Sequence, residues 1–300
     1  MMDYARSDLA CESMGSGCDG KIEGTSFSRE RCGMNCILRA DILTEDAARM
    51  LGRGVGTYVT VECGRIDRLS EGERGELASL LAKEMRLLGE RLSGKRIKAD
   101  FEVLVAGLGN EALTADAIGP KTVRGVTATR HLREHESEIY RGLGCASLSA
   151  VMPGVLGDTG IETLELLRGA VESVRPDLVL AVDALAARSC SRLASTVQLS
   201  SEGIRPGSGV GNRRSAIDRE SLGVPVIAIG VPTVVNSATL VYDALHRAGI
   251  GDTSPALKRV LSEGESFFVS PRECDLIAQS VGKLLSSAIN EAFGISFCDG

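Results

Sequence analysis

Three hundred residues, 43% of them hydrophobic, are enough to bury a sizeable core, and 40 acidic against 34 basic residues leave a net charge of −6 that argues against a nucleic-acid-binding protein. No stretch reaches the ~18 consecutive apolar residues of a membrane span, residues 1–30 lack the apolar run of a secretory signal, and no basic block is longer than Arg213-Arg214. Nine scattered cysteines without a CxxC pair read as reduced thiols of a cytosol-like compartment.

The first thirty residues are polar, rich in Gly, Ser and Cys and without a sustained period, so residues 1–34 read as a leader ahead of one domain over 35–300. Residues 55–62 alternate as a strand, and 76–91 carry apolar side chains at helical spacing. A strand over 101–106 leads to a helix over 116–132 entered through Thr114, then to a short strand over 146–151 and a helix over 161–174. Residues 176–182 are apolar on both faces and form a strand that ends at Asp183. Strands over 196–199 and 224–229 precede helices over 234–248 and 271–293. This alternation predicts an α/β fold, a mostly parallel sheet with helices on both faces. Aromatic residues are only 3% of the chain, so the core falls to Val, Leu, Ile and Ala, as in buried parallel strands. Ligands of such sheets bind beyond the carboxyl ends of the strands, which is where the chemistry is expected.

Gly107-Leu-Gly109-Asn-Glu-Ala112 fits the G-x-G-x-x-G/A spacing of a dinucleotide-binding turn. The acidic residue such a site needs at the tip of the next strand is missing, so no nucleotide cofactor is expected, and the turn delivers a carboxylate, Asp116, instead. Taken alone, Asp116 two residues after Thr114 is a first-turn acid on a helix dipole. Asp183 is harder to assign to structure, because an ionised carboxylate buried at the end of an apolar strand is costly unless paired. Arg188 is one partner for it. The other is Asp116, provided that the exits of strands 101–106 and 177–182 adjoin. Two carboxylates a few ångströms apart divide one proton, so that one activates water while the other protonates a leaving group. That chemistry suits amide hydrolysis without metal or covalent intermediate.

Two glycine loops frame the same edge, one over residues 152–163 and one, basic, over 205–214. His131, His135 and His246 fall on or beside helices away from the strand exits, so no metal is expected. The G-x-S-x-G turn of a serine nucleophile is absent. A non-catalytic binding module of the same fold would keep the loops and tolerate Asp183→Asn.

At these motifs the chain resembles the germination proteases of spore-forming Firmicutes. The matching blocks are Ala106-Gly-Leu-Gly-Asn110 with Thr114-Ala-Asp116-Ala-Ile-Gly-Pro120, Met152-Pro-Gly-Val with Gly160-Ile-Glu-Thr163, Ala181-Val-Asp183-Ala-Leu-Ala-Ala-Arg188, Arg205-Pro-Gly-Ser-Gly-Val-Gly-Asn212, and Gly223-Val-Pro-Val-Ile-Ala-Ile-Gly230 running on to Val235. The resemblance spans about residues 5–293. It implies an endopeptidase of the spore core that degrades small acid-soluble spore proteins during germination. It further implies a homotetramer with a fold similar to hydrogenase-maturation proteases, and two essential aspartates that fall on Asp116 and Asp183. The family is made as a zymogen that removes its own N-terminal peptide, and Arg6-Ser-Asp8-Leu9-Ala10-Cys-Glu12 resembles its processing site, which implies scission between Asp8 and Leu9. The acid the family prefers three residues upstream is replaced by Ala5, and the connection between Val235 and Pro271 is short. Arg188, Arg205, Arg213 and Arg214 cluster beside the cleft loops and are expected to receive the acidic substrate residue. The alternative, a metal-dependent hydrogenase-maturation-type endopeptidase, calls for a histidine after strand 196–199 or 224–229, and none stands there.

Overall fold

A computed structural model describes residues 7–13, 22–207, 214–250, 254–263 and 267–295. After the single turn α1 (Ala10–Ser13), strands β1 (Thr25–Cys32) and β2 (Asn35–Ile42) pair as an antiparallel hairpin. Helix α2 (Glu45–Leu51) starts where the Thr44 side chain accepts the Ala47 N–H, and β3 (Gly56–Glu62) follows. Helix α3 (Glu71–Ser93) opens on a reciprocal Ser70–Glu73 capping box. Strand β4 (Glu102–Gly107) leads through a 3₁₀ turn, Thr114–Asp116, into α4 (Ile118–Gly125), α5 (Arg130–His135) and α6 (Ser137–Leu143). Then come β5 (Ser147–Val151), α7 (Leu156–Thr159), α8 (Thr163–Val174), β6 (Leu178–Ala187), β7 (Thr196–Ser200), α9 (Arg219–Leu222) and β8 (Val226–Asn236). Helices α10 (Ser237–Arg247) and α11 (Pro255–Glu263), the short β9 (Phe268–Val269) and α12 (Cys274–Ala292) complete the order.

All the strands join one sheet in the order β1-β2-β3-β7-β8-β6-β4-β5, with β9 against the end of β8. The α/β reading holds, but the sheet is mixed rather than mostly parallel. Strands β5, β4, β6 and β8 run parallel, while β7, β3, β2 and β1 extend the sheet antiparallel. The extension includes β1, which lies in the stretch read as leader and pairs along its length with β2. Three of its eight positions, Thr25, Phe27 and Cys32, are half-buried and the other five are exposed, so no continuous apolar face marks it in the sequence.

Period-2 alternation divides the parallel strands between two cores. Val103, Val105, Leu178, Leu180 and Val182 face α3, α4 and α12. Leu104, Ala106, Val179 and Ala181 face α8 and α9. Helices thus cover both faces, as the apolar runs require. The chain leaves β4 toward β5 on one side and returns to β6 on the other, so the crevice between the β4 and β6 exits is the topological switch point.

Two elements differ from their sequence reading at that point. The helix expected over 116–132 is broken. Asn290 of α12 accepts the Thr127 N–H at 3.0 Å and donates to the Gly125 carbonyl at 3.0 Å, which ends α4 at a residue 165 positions away in sequence. The strand expected to stop at Asp183 runs on to Ala187, because β8 beside it also continues.

Candidate active site

The loop after β4 folds back on Asp116. Gly109 holds φ of 102°, and a Cβ there would lie 2.1 Å from the Asp116 carbonyl oxygen, so only glycine permits the approach. The payoff is a backbone contact: the Asn110 N–H donates to Asp116 Oδ2 at 2.9 Å. The glycine turn cradles a protein carboxylate where a nucleotide fold would hold a phosphate. The Thr233 hydroxyl of β8 donates to the Ala115 carbonyl at 2.7 Å and ties the 3₁₀ turn to the sheet. Asp116 therefore sits before α4 rather than in its first turn.

Strand β4 pairs with β6 through Gly107 opposite Val182, and the Leu108 N–H continues the ladder to the Val182 carbonyl at 2.8 Å. The adjoining exits bring Asp116 and Asp183 into one cleft of about 540 Å³. Asp183 is only 4% exposed and accepts the Ala184 N–H at 2.9 Å. Burial pushes its carboxyl well above the ordinary range, and the nearby charges of Asp116 and Asp8 push it further, against the Ala184 bond. Burial also raises Asp116, opposed by the Asn110 bond and by the positive charge of Arg214.

The third acid lining the cleft is Asp8, and the segment around it is docked on β6. Its N–H donates to the Ala186 carbonyl at 2.9 Å, and its side chain accepts the Ala186 N–H at 2.9 Å. Leu9 is fully buried against Leu185, Ala187, Leu193 and Val235, and Ala10 is 1% exposed. Glu12 accepts the backbone N–H groups of Arg188 at 2.7 Å and Ser189 at 2.9 Å, with Arg192 Nε at 3.5 Å. The main chain of residues 7–10 is held by Arg53 and Gln198, neither of which the sequence reading singled out.

The expected substrate arginines are spread around this arrangement. Arg214 lines the cleft, and Arg205 is exposed on the adjoining cavity of about 550 Å³. Arg188 directs Nη1 to the Glu12 carbonyl at 3.2 Å. Arg213 lies outside the described residues. His131 and His135 are exposed on α5, and among the described residues no group of three or more His, Cys, Asp or Glu is arranged to hold a metal ion. No helix among them is long and apolar enough to cross a membrane.

Arg53 and Gln198 left no signal in their own sequence neighbourhoods, since one follows a helix-ending glycine and the other sits in an ordinary strand. Arg192 lies just past the Asp183 block and was visible only as one more arginine.

The sequence model of the germination protease family matches residues 10–247. The germination protease of Caldanaerobacter subterraneus subsp. tengcongensis is 40% identical, the match covering 96% of this chain and 93% of that protein. Those of Clostridium acetobutylicum and Clostridium perfringens are 34% and 36% identical, each match covering 97% of this chain and 95% of the relative. Asp116 and Asp183 both fall inside the matched span, and the chain belongs to the germination protease family.

Proposed function

We propose that Asp116 and Asp183 hydrolyse peptide bonds as a carboxylate pair, and that one bond they cut is the chain's own, between Asp8 and Leu9. As a member of the germination protease family the chain is an endopeptidase. The observation that carries the proposal is the presence of Asp116, Asp183 and Asp8 in one cleft, with Asp8 bonded to Ala186 of β6 and Leu9 seated in the apolar cluster beside it.

The surroundings divide the roles. Asp183, the more deeply buried and raised by both neighbouring acids, keeps the proton; Asp116, held by a backbone N–H and facing Arg214, stays charged. The Asp116 carboxylate takes a proton from water as its oxygen adds to the carbonyl carbon of Asp8. Asp183 gives its proton to the leaving nitrogen of Leu9 as the C–N bond breaks. The pair then holds one proton, on the other partner, and exchange with solvent restores the starting state.

In this reading the chain is a zymogen that loses residues 1–8, acts in the spore core on small acid-soluble spore proteins, and assembles as a homotetramer. Arg214, with Arg188, Arg205 and Arg213 on the neighbouring loops, draws acidic substrate residues to the cleft. The test is digestion of purified small acid-soluble spore proteins, with product ends read by mass spectrometry. Wild type is expected to cut after an acidic residue followed by an apolar one, and Asp116→Asn to leave the proteins intact. Equal digestion by Asp116→Asn removes the carboxylate pair as the mechanism.

A further inference from the structure

We propose that Arg53 and Gln198 are a main-chain clamp that seats the scissile peptide bond of substrates arriving from other molecules, in the way they now seat residues 7–10 of the chain itself. The proposal rests on the reading of Asp8–Leu9 as the cleaved bond.

The Gln198 amide straddles that bond. Its Nε2 donates to the Asp8 carbonyl at 3.0 Å, and its Oε1 accepts the Ala10 N–H at 2.6 Å. These are the contacts a neighbouring β-strand would make, and they are blind to side-chain identity. Arg53 spreads its guanidinium over three successive carbonyls, those of Ser7 at 2.6 Å, Asp8 at 3.1 Å and Leu9 at 3.0 Å. The Asp8 carbonyl oxygen thus receives two donors, one carrying a full positive charge. Negative charge develops on that oxygen when water adds, so donors fixed there stabilise the transition state more than the ground state.

The clamp is mounted on the central sheet and on the turn that ends α2. Gln198 stands in β7 in register with Gly230 of β8, which is in register with Asp183 of β6. Its neighbours Val197 and Leu199 point into the core under α3, so Gln198 projects from the same face as Asp183. Arg53 follows Gly52, whose φ of 62° ends α2 and lets the Arg53 N–H bond the Ala48 carbonyl at 3.1 Å. The next residue, Gly54, donates its N–H to Glu202 at 2.9 Å. Both residues also line the adjoining cavity of about 550 Å³, which shares Asp8 and Leu185 with the cleft. Scission between Asp8 and Leu9 frees residues 1–8, and when the new N-terminus at Leu9 withdraws from its seat these donors face the groove that residues 7–10 had filled.

The experiment compares two reactions of the full-length chain and of its Arg53→Ala and Gln198→Leu variants. One is scission of the chain's own Asp8–Leu9 bond, followed by intact mass. The other is cleavage of a separate peptide carrying Ser-Asp-Leu-Ala-Cys-Glu. The clamp predicts that both rates fall by about 10²–10³-fold in each variant, mainly in kcat for the peptide. A tether that only holds the chain's own segment predicts slower self-scission but unchanged or faster peptide cleavage, and that result overturns the proposal.

A peptide N-methylated at the Ala removes the hydrogen that Gln198 accepts. It should be cut at least about tenfold more slowly by wild type and with no further loss by Gln198→Leu, the signature of a shared contact. Equal penalties in both proteins also overturn the clamp. If a variant loses its cooperative thermal transition, the N-methyl effect on wild type alone still reads the contact. Failure of the underlying reading is a separate result, in which wild type leaves the Asp–Leu bond intact in both settings.

Discussion

Asp183 holds its proton more tightly in the fold than in the unfolded chain, because burial and two neighbouring acids disfavour its charge. It therefore favours the fold fully below the usual carboxyl range and loses that contribution as pH rises through its raised value. Asn carries no such charge. Asp183→Asn is expected to melt higher than wild type at pH 7, by on the order of a few degrees for a chain of this size, and to converge with it below about pH 3, where ordinary carboxyls are protonated. Thermal unfolding across pH checks this, and a variant that melts lower than wild type at pH 7 contradicts it. Both aspartates were legible in the sequence, Asp183 because an acid at the end of an apolar strand needs a reason and Asp116 because the glycine turn led to it. Arg53 and Gln198 were not, since their partners lie 44–46 and 188–190 positions away.

At the scale of elements, the loop after β4 does the positioning. Gly109→Ala would set a methyl 2.1 Å from the Asp116 carbonyl oxygen on a backbone of φ 102°. It should cost about 1–3 kcal/mol of stability, typical of a non-glycine residue forced into strained backbone, and displace Asp116 enough to lower kcat well before the protein unfolds. Denaturant unfolding together with peptide cleavage checks both halves, and unchanged kcat would show that Asp116 does not depend on the loop. The parallel elements β4, β5, β6 and β8 could be read from their apolar runs. The break after Gly125 could not, because the side chain that makes it, Asn290, belongs to another helix. The end of β6 was misread for a related reason: a strand continues past its apolar run when a neighbour continues beside it, and β8 does so to Asn236.

For the whole molecule, alternating strands and helices located the switch point between β4 and β6 and included β3 and β7 as strands, but missed the β1-β2 hairpin and the antiparallel direction of the wing β1-β2-β3-β7. That wing is what closes the site. Its strand β7 supplies Gln198, the turn after α2 supplies Arg53, and both reach across to the segment lying on β6. The short helix α1 and the residues before it pack beside the cleft, with Leu9 and Ala10 buried and Glu12 on backbone N–H groups. Under the proposed self-scission, this docked segment is the first substrate and the first turnover is internal to the molecule. The most direct test of the paired aspartates is the intact mass of purified wild type and Asp183→Asn after equal incubation. The wild-type chain should come to begin at Leu9 while the Asn variant keeps its N-terminal residues; a variant that reaches Leu9 as fast as wild type would contradict the account.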